Sequence, residues 1–456
     1  MQVRMFTQTK WLRVLLTISL LPCLVWPQEP TAAPAALQAE ELTLDQAIAL
    51  ALNDNHLVKI AELEVGKVAD NLAAIRTFRL PSMNLYSLTS EQLVRHEVNV
   101  GGLASDLIPG LDSFSPVSVP RRPTTAFTSL IVQPLSQQYR IGLNIKQGKL
   151  AGDVANEKLR LAKQITVDKV KRTYYRILQT QSALDSVLEA VRLYHELDRV
   201  TGDYVVQQAA LKADSLEVKT RLAKTEYEAL NLTNQLATEK EQLNNLLGRD
   251  VRMDFRVNAI PDATDFALDL ISARNRAIDQ RPEVKEARLK IKQAEVDHRI
   301  KKSEYIPDVS LGVRYVTLQN FNSGVPKNFA SIGVVVKWEV FDWGRKKDQL
   351  AEKDKLIEQT KTGLHEAESL ILIEVGDKFR KLQLTRQALL VARLEQETAR
   401  ETLRVNTNRY KLTSALLSEV LQSQASLAEA NHRYQQAVLG YWTAKAEFEK
   451  AMGEEK

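Results

Sequence analysis

The spacing of hydrophobic positions changes along the chain, and the same order of changes occurs twice. Over residues 43–80, Leu44, Ile48, Ala51 and Leu52 fall at helical intervals behind Thr43 and Asp45, which suit a helix start. A matching segment begins near Ala267, breaks at Arg281-Pro282 and restarts with Pro282 in a first-turn position, where its missing N–H is not needed. Both segments stop at proline, in Leu80-Pro81 and Ile306-Pro307. The period then falls to two. Val309, Leu311, Val313 and Tyr315 alternate with Ser310, Gly312, Arg314 and Val316. Beyond the turn-rich stretch 320–327, Ile332, Val334, Val336, Trp338 and Val340 alternate with Ser331, Gly333, Val335 and Lys337. One face is apolar and the other small or charged. A half-buried soluble hairpin gives this alternation, and so does a membrane barrel with a wet lumen, in which Val334, Val336 and Trp338 face lipid. Strands are expected at 82–94, 124–135, 308–318 and 328–341. The first two are joined by a loop with Gly101-Gly102, Pro109-Gly110, Pro116, Pro120 and Pro123, a composition unsuited to packed strands.

A long helix follows each strand pair. From about Leu143 to Gln207 there is no proline, and Val170, Tyr174, Ile177, Gln181, Leu184, Leu188, Val191 and His195 recur at 4-3-4-3 spacing. That is the 3.5-residue period of a coiled-coil seam, and about 65 residues at 1.5 Å each extend roughly 97 Å. A break near 207–214 leads to a returning helix through Leu216, Leu222, Leu230, Leu236 and Leu243 to Gly248. The stretch from Gly344 to Gly453 repeats this, with its tip near 413–419.

The recurrence is an internal duplication. Leu44, Ala61 and Pro81 match Leu270, Ala287 and Pro307 at an offset of 226; Arg140, Val170 and Gly248 match Arg345, Val375 and Gly453 at 205. The 21-residue excess of the first copy falls in its Gly/Pro-rich loop. We divide the chain into a signal segment at about 1–28, a linker at 29–42, a first repeat at 43–248, a linker at 249–266 and a second repeat at 267–453. Each repeat is helix–strand–strand–long helix–helix, so the fold class is a mostly α, α+β membrane protein. Four strands cannot close a barrel and open edges do not survive in lipid; a homotrimer supplying twelve strands is the smallest comfortable solution.

Composition narrows the function. Only 17 glycines and 14 prolines in 456 residues fit long helices. The formal charge of +5 includes Arg4, Lys10 and Arg13; without that segment about +2 remains, no footprint for nucleic acid. The basic start and the apolar run 14–26, too short to span a bilayer, form an export signal. The single cysteine, Cys23, follows Leu20-Leu21-Pro22, a poor lead-in for lipidation, and leaves with the signal. No later stretch reaches 18 apolar residues, so no transmembrane helix is expected. The six histidines make no His-Glu-x-x-His or clustered metal spacing, and no phosphate loop or nucleophile elbow occurs. We therefore expect no enzyme and no cofactor; His195 suits the coiled-coil seam.

Leu80-Pro81-Ser82, Ile306-Pro307-Asp308, the run Trp338-Glu339-Val340-Phe341-Asp342-Trp343-Gly344-Arg345, and Arg409-Tyr410 followed by Glu419-Val420-Leu421 resemble the TolC-like outer-membrane efflux proteins over nearly all of the chain after residue 40. The resemblance implies a trimeric 12-stranded β-barrel in the outer membrane, continuous with a 12-helix coiled-coil α-barrel in the periplasm. It implies a passive exit duct of a tripartite efflux pump or type I secretion system, with a periplasmic adaptor and an inner-membrane transporter as partners. It places adaptor docking at the tips, at Gln208, Ala209, Leu211, Thr413, Ala415 and Leu416, and the gate at Asp214, Glu419 and Gln422. Gln208 and Thr413 stand where relatives usually carry glycine, Gln422 where the best-studied relatives carry a second acid, and Ala415 where they carry a base. For Asp214 and Glu419 the other reading is a helix N-terminal charge favoured by the dipole. The rival for the whole chain is an exported trimeric coiled-coil scaffold or adhesin without a channel, which needs no paired amphipathic hairpins.

Overall fold

Thr43 opens the first helix as expected: its Oγ1 accepts from the Gln46 N–H and the Gln46 side chain accepts from the Thr43 N–H. The helix, α1 (Leu44–Asp54), is however short. Asn55 ends it and starts α2 (His56–Thr77), its Oδ1 accepting from the N–H groups of Leu57 and Val58. The single helix expected over 43–80 is thus two, because Asn55 satisfies a new helix start better than it extends the old one. The computed structural model describes residues 40–91, 93, 96–98, 117–119, 123–208, 211–258, 269–320, 327–412 and 414–454. The expected signal segment and Cys23 lie outside them, as do Ala209 and Thr413.

The strands β1 (Glu40–Leu42), β2 (Ser82–Ser90), β3 (His96–Val98), β4 (Val117–Val119) and β5 (Thr124–Pro134) precede the long helix α3 (Gln138–Val206) and its return α4 (Lys212–Leu246). After β6 (Phe255–Val257) come α5 (Leu270–Gln280), α6 (Pro282–Ser303), β7 (Asp308–Gln319), β8 (Asn328–Lys337), α7 (Arg345–Lys411) and α8 (Leu417–Ala451). The helices α1, α2 and α4 have 11, 22 and 35 residues, and so do α5, α6 and α8; α3 and α7 have 69 and 67. β3 and β4 form a short antiparallel pair inside the Gly/Pro-rich loop, where no packed strand was expected. β8 ends at Lys337, before Trp338.

Each returning helix ends against the joint of a shorter helix pair. Asn55 Nδ2 donates to the Leu246 carbonyl at 2.7 Å, which stacks α4 on α2. Gly248, at φ +70°, lies so close to the Asp54 carbonyl that a Cβ would sit 2.2 Å from its oxygen. In the other half Gly453, at φ +86°, packs against Gln280 and Arg281, and α8 stacks on α6. The buried Arg281 is held there by Glu283 at 2.6 Å and by Glu374.

Two clusters form a helical belt around these joints. In one, Val170, Tyr174, Ile177, Leu243, Leu247 and Phe255 pack with Leu42, and the Tyr174 hydroxyl bonds the Leu42 and Asn258 carbonyls at 2.9 and 2.8 Å, tying the β1–β6 pair to α3. In the other, Val375, Phe448 and Met452 pack with Ala273, Ala277 and Val284; Trp442 borders both. The coiled-coil seam does not run straight down α3. Val170, Tyr174 and Ile177 are buried, but toward the tip Tyr194 and Leu197 take over, while Leu188 and His195 are exposed. His195 lies 3.5 Å from Glu226 instead. A straight helix with 3.6 residues per turn drifts out of a 3.5-residue register, and α3 packs against both α4 and α8.

Candidate channel wall and tip

The four longer strands make one antiparallel sheet in the order β2-β5-β7-β8, and its register sorts side chains by face. One row across all four strands is Met83, Ile131, Val313 and Ile332, flanked by Leu311 beside Val334 and Val309 beside Val336. The next row, on the other face, is Asn84, Leu130, Arg314 and Ser331; Gly312 beside Gly333 and Asp308 beside Lys337 belong with it. One face is apolar and the other carries the charges, an arrangement suited to lipid outside and water inside. Val334 and Val336 fall on the apolar face, and Trp338 follows the strand end, 58% exposed. Every residue of β2 and β8 is exposed, so the sheet has two uncovered edges.

The sheet passes into the helices through short polar ties. Arg140 Nη2 reaches Asp308 Oδ1 at 2.6 Å, and Ser136 Oγ donates to the Pro307 carbonyl while accepting from the Val309 N–H. After β8, Trp343 and Gly344 both adopt positive φ, and Asp342 accepts from the Gly344 and Lys346 N–H groups, turning the chain into α7. Those backbone bonds, led by Lys346, hold the Asp342 carboxyl below its ordinary range. Arg345 and Lys346 converge on Glu339 at 2.6 and 3.4 Å, and Phe341 meets Trp343 edge-on at 5.0 Å. Trp338, Phe341 and Trp343 stand exposed at the foot of the sheet. The quoted run from Trp338 to Arg345 is therefore a strand-to-helix turn, a role its spacing did not disclose.

In the belt, α3, α7 and α8 exchange charges. Lys171 meets Glu449 at 2.5 Å, and Glu447 receives Arg172, Lys378 and Lys381 at 3.1, 3.1 and 2.9 Å. Burial works to raise the Glu447 pKa, but these three cations outweigh it and hold the carboxyl below its usual range. Sequence reasoning missed this clasp because its members are far apart in the chain.

At the far end of the long helices the two hairpins meet. Tyr194, Leu197 and Val218 pack with Tyr410, Val420 and Leu421, Ala415 is partly buried beside them, and Tyr204 meets Tyr410 edge-on at 6.0 Å. Burial pushes the Tyr410 phenol up against an opposing bond from Thr201. Gln208 turns the first tip at φ +63°. Asp214 Oδ2 accepts from the Leu211 N–H at 3.1 Å, whereas Glu419 lies 3.9 Å from Arg409 and makes no cap bond. Leu211 and Leu416 are largely exposed, as is Gln422. Among the described residues no group of three His, Cys, Asp or Glu side chains forms a metal site, and no helix is long and apolar enough to cross a membrane.

A strand sheet with one lipid-suited face, carried on stacked coiled-coil hairpins, is the fold of solved outer-membrane channels. The outer membrane protein VceC from Vibrio cholerae matches at 15% identity and TM-score 0.72, covering 90% of this chain and 96% of its own. Campylobacter jejuni CmeC matches at 12% identity and TM-score 0.74 (95% and 94%), and the open state of Neisseria gonorrhoeae MtrE at 15% and 0.69 (90% and 89%). No curated protein matches by sequence. Residues 273–454, most of the second repeat, match the family model for outer membrane efflux proteins. The likeness to that family by sequence is confined to this part of the chain, while the fold shared with the solved structures extends over nine-tenths of it.

Proposed function

We propose that three copies of this chain form a passive exit duct across the outer membrane, serving a tripartite efflux pump or a type I secretion system. The observation that carries the reading is the four-stranded sheet: it has an apolar row on one face and Asp308, Arg314 and Lys337 on the other, yet leaves both edges unpaired. Three such sheets joined edge to edge give twelve strands and no edge. The helices support the same count, since α3, α7 and the stacks α2/α4 and α6/α8 are four columns per chain. A helix of 69 residues extends about 100 Å at 1.5 Å per residue, enough to carry the duct deep into the periplasm. In this reading the exposed Leu211 and Leu416, with Gln208, Ala209, Thr413 and Ala415, offer the tips to a periplasmic adaptor that links an inner-membrane transporter. Asp214 and Glu419 ring the axial opening, and Gln422 leaves that ring one charge per chain short.

The test is native mass measurement in mild detergent, followed by single-channel recording in a planar bilayer. A trimer with stable conductance is expected. A monomer or dimer, or a trimer found in the soluble fraction without detergent, would overturn the reading.

A further inference from the structure

We propose that a groove at the foot of the sheet binds the phosphate headgroup of an anionic phospholipid. This rests on the reading above, in which the sheet spans the outer membrane and the helices enter the periplasm, so that the groove lies level with the inner leaflet. The groove, about 850 Å³, lies between the start of α3, the end of α6 and the start of α7. Tyr139, Tyr305, Ile306 and Leu350 supply its apolar wall, and His298, Arg299 and Lys302 its basic one.

Helix geometry places the groove on the outer side of the wall. Arg140 and Gln147, two turns apart on one stripe of α3, reach Asp308 on the charged face of the sheet and Asp297 on α6. That stripe, with Asp297, therefore follows the lumen. At about 100° per residue, Arg299 stands roughly 200° around α6 from Asp297, and Lys302 about 140° around it, so both turn away from the lumen. Tyr139 is likewise offset from Arg140 by about one residue's rotation, toward α6.

The basic groups are also uncommitted. Lys301 is paired with Glu304 at 2.8 Å and His298 with Asp354 at 3.3 Å, whereas the side chains of Arg299 and Lys302 make no ion pair among the described residues. Two free cations beside tyrosines, directly below an apolar sheet face and next to Trp338, Phe341 and Trp343, match a ligand with a phosphate at one end and acyl chains at the other. Arginine adds a fork that a phosphate fills in two places. The first repeat keeps only one of the two cations: Ala73 stands at the Arg299 position and Leu72 at the His298 position, 226 residues earlier, while Arg76 stands at that of Lys302. The expected stoichiometry is one lipid per chain and three per trimer.

The experiment is native mass spectrometry of the delipidated full-length protein titrated with phosphatidylglycerol, and separately with phosphatidylethanolamine. Wild type should take up to three phosphatidylglycerol molecules per trimer in preference to phosphatidylethanolamine. Arg299→Ala with Lys302→Ala should weaken that binding roughly thirtyfold. Lys337→Ala, which removes a cation from the lumen face, should not, and Arg299→Lys with Lys302→Arg should keep most of it. Equal binding of the two lipids, or a double alanine variant that binds as wild type does, overturns the proposal. Single-channel recording of the same preparations separates the two readings. A conducting trimer without the lipid preference refutes the groove alone, and a preparation that neither trimerises nor conducts refutes the duct.

Discussion

The helical belt and the strand sheet answer to opposite covers. In the belt Val170, Ile177, Leu243, Phe255, Val375 and Phe448 are fully buried by their own chain. In the sheet Met83 and Ile332, at the two edges of one apolar row, are each 71% exposed, while Ile131 and Val313 between them are about half as open. Exposure thus rises toward the edges and not toward one face. The belt is covered by its own chain, whereas in the proposed duct the sheet is finished by lipid on one face and further strands at both edges. Stability of the one should be a property of the protomer, and stability of the other a property of the assembly.

The largest effect expected tests the belt. Phe448→Ala removes a fully buried ring packed 5.6 Å from Phe379, and should cost roughly 3–5 kcal/mol. Thermal melting followed by helical circular dichroism should show the loss whether or not the trimer has formed. A loss seen only in the trimer would mean that the belt too depends on neighbours.

Next comes the sheet. Val336→Arg places a cation on the apolar face and should cost roughly 2–4 kcal/mol of barrel stability at mid-membrane depth, with the soluble helical melt unchanged. Insertion into liposomes is the measurement, with Lys337→Leu as the comparison. If Lys337→Leu proves the more damaging for insertion, the two faces are assigned the wrong way round.

A third prediction concerns pH within the belt. The Glu447 carboxyl lies below its ordinary value of 4.5 in the folded chain, because Lys381, Lys378 and Arg172 overcome the effect of burial. Its stabilising share is therefore fully present above pH 4.5 and lost as pH falls through the depressed value. Melting temperature should fall on acidification below that point in wild type, and fall less in Glu447→Gln. An equal acid loss in the variant would assign the fall to other carboxylates.

How much of this was legible in the sequence follows from the same contrast. The strands showed because a sheet with one apolar face keeps strict alternation, and Val309–Leu311–Val313 against Ser310–Gly312–Arg314 is such a case. The joint at Arg281 showed because proline marks it; its counterpart Asn55 did not, since an asparagine only weakens a helix and the apolar spacing continues past it, so the break shows in its cap bonds and its bond to Leu246. The clasp around Glu447 was invisible because Arg172 and Lys378 come to it from opposite repeats. His195 was misplaced at the seam because a heptad count assumes one partner, and α3 packs against both α4 and α8. The tip residues sit where burial is slight and pattern is weakest, so their spacing alone could not separate a gate from a helix end.

The smallest effects belong to the tips, where the comparison narrows to two acidic residues at matching positions. Asp214 spends its carboxylate on the Leu211 N–H, so Asp214→Ala should cost about 0.5–1 kcal/mol by loss of a helix-start bond. Glu419 faces Arg409 at 3.9 Å with both side chains about half exposed, so Glu419→Ala should cost only a few tenths of a kcal/mol. Their electrical effects should run the other way. In the proposed trimer a ring of three Glu419 carboxylates around a narrow opening would concentrate cations, and a trivalent cation added from the periplasmic side should block conductance of the reconstituted trimer. Glu419→Ala should relieve most of that block. Asp214→Ala should relieve less, because its charge is already turned toward a backbone donor. The recording is made with the cation on each side in turn. Equal relief by the two variants would show the tips to be electrically equivalent, and block indifferent to both would leave each residue the ordinary charge of a helix N-terminus.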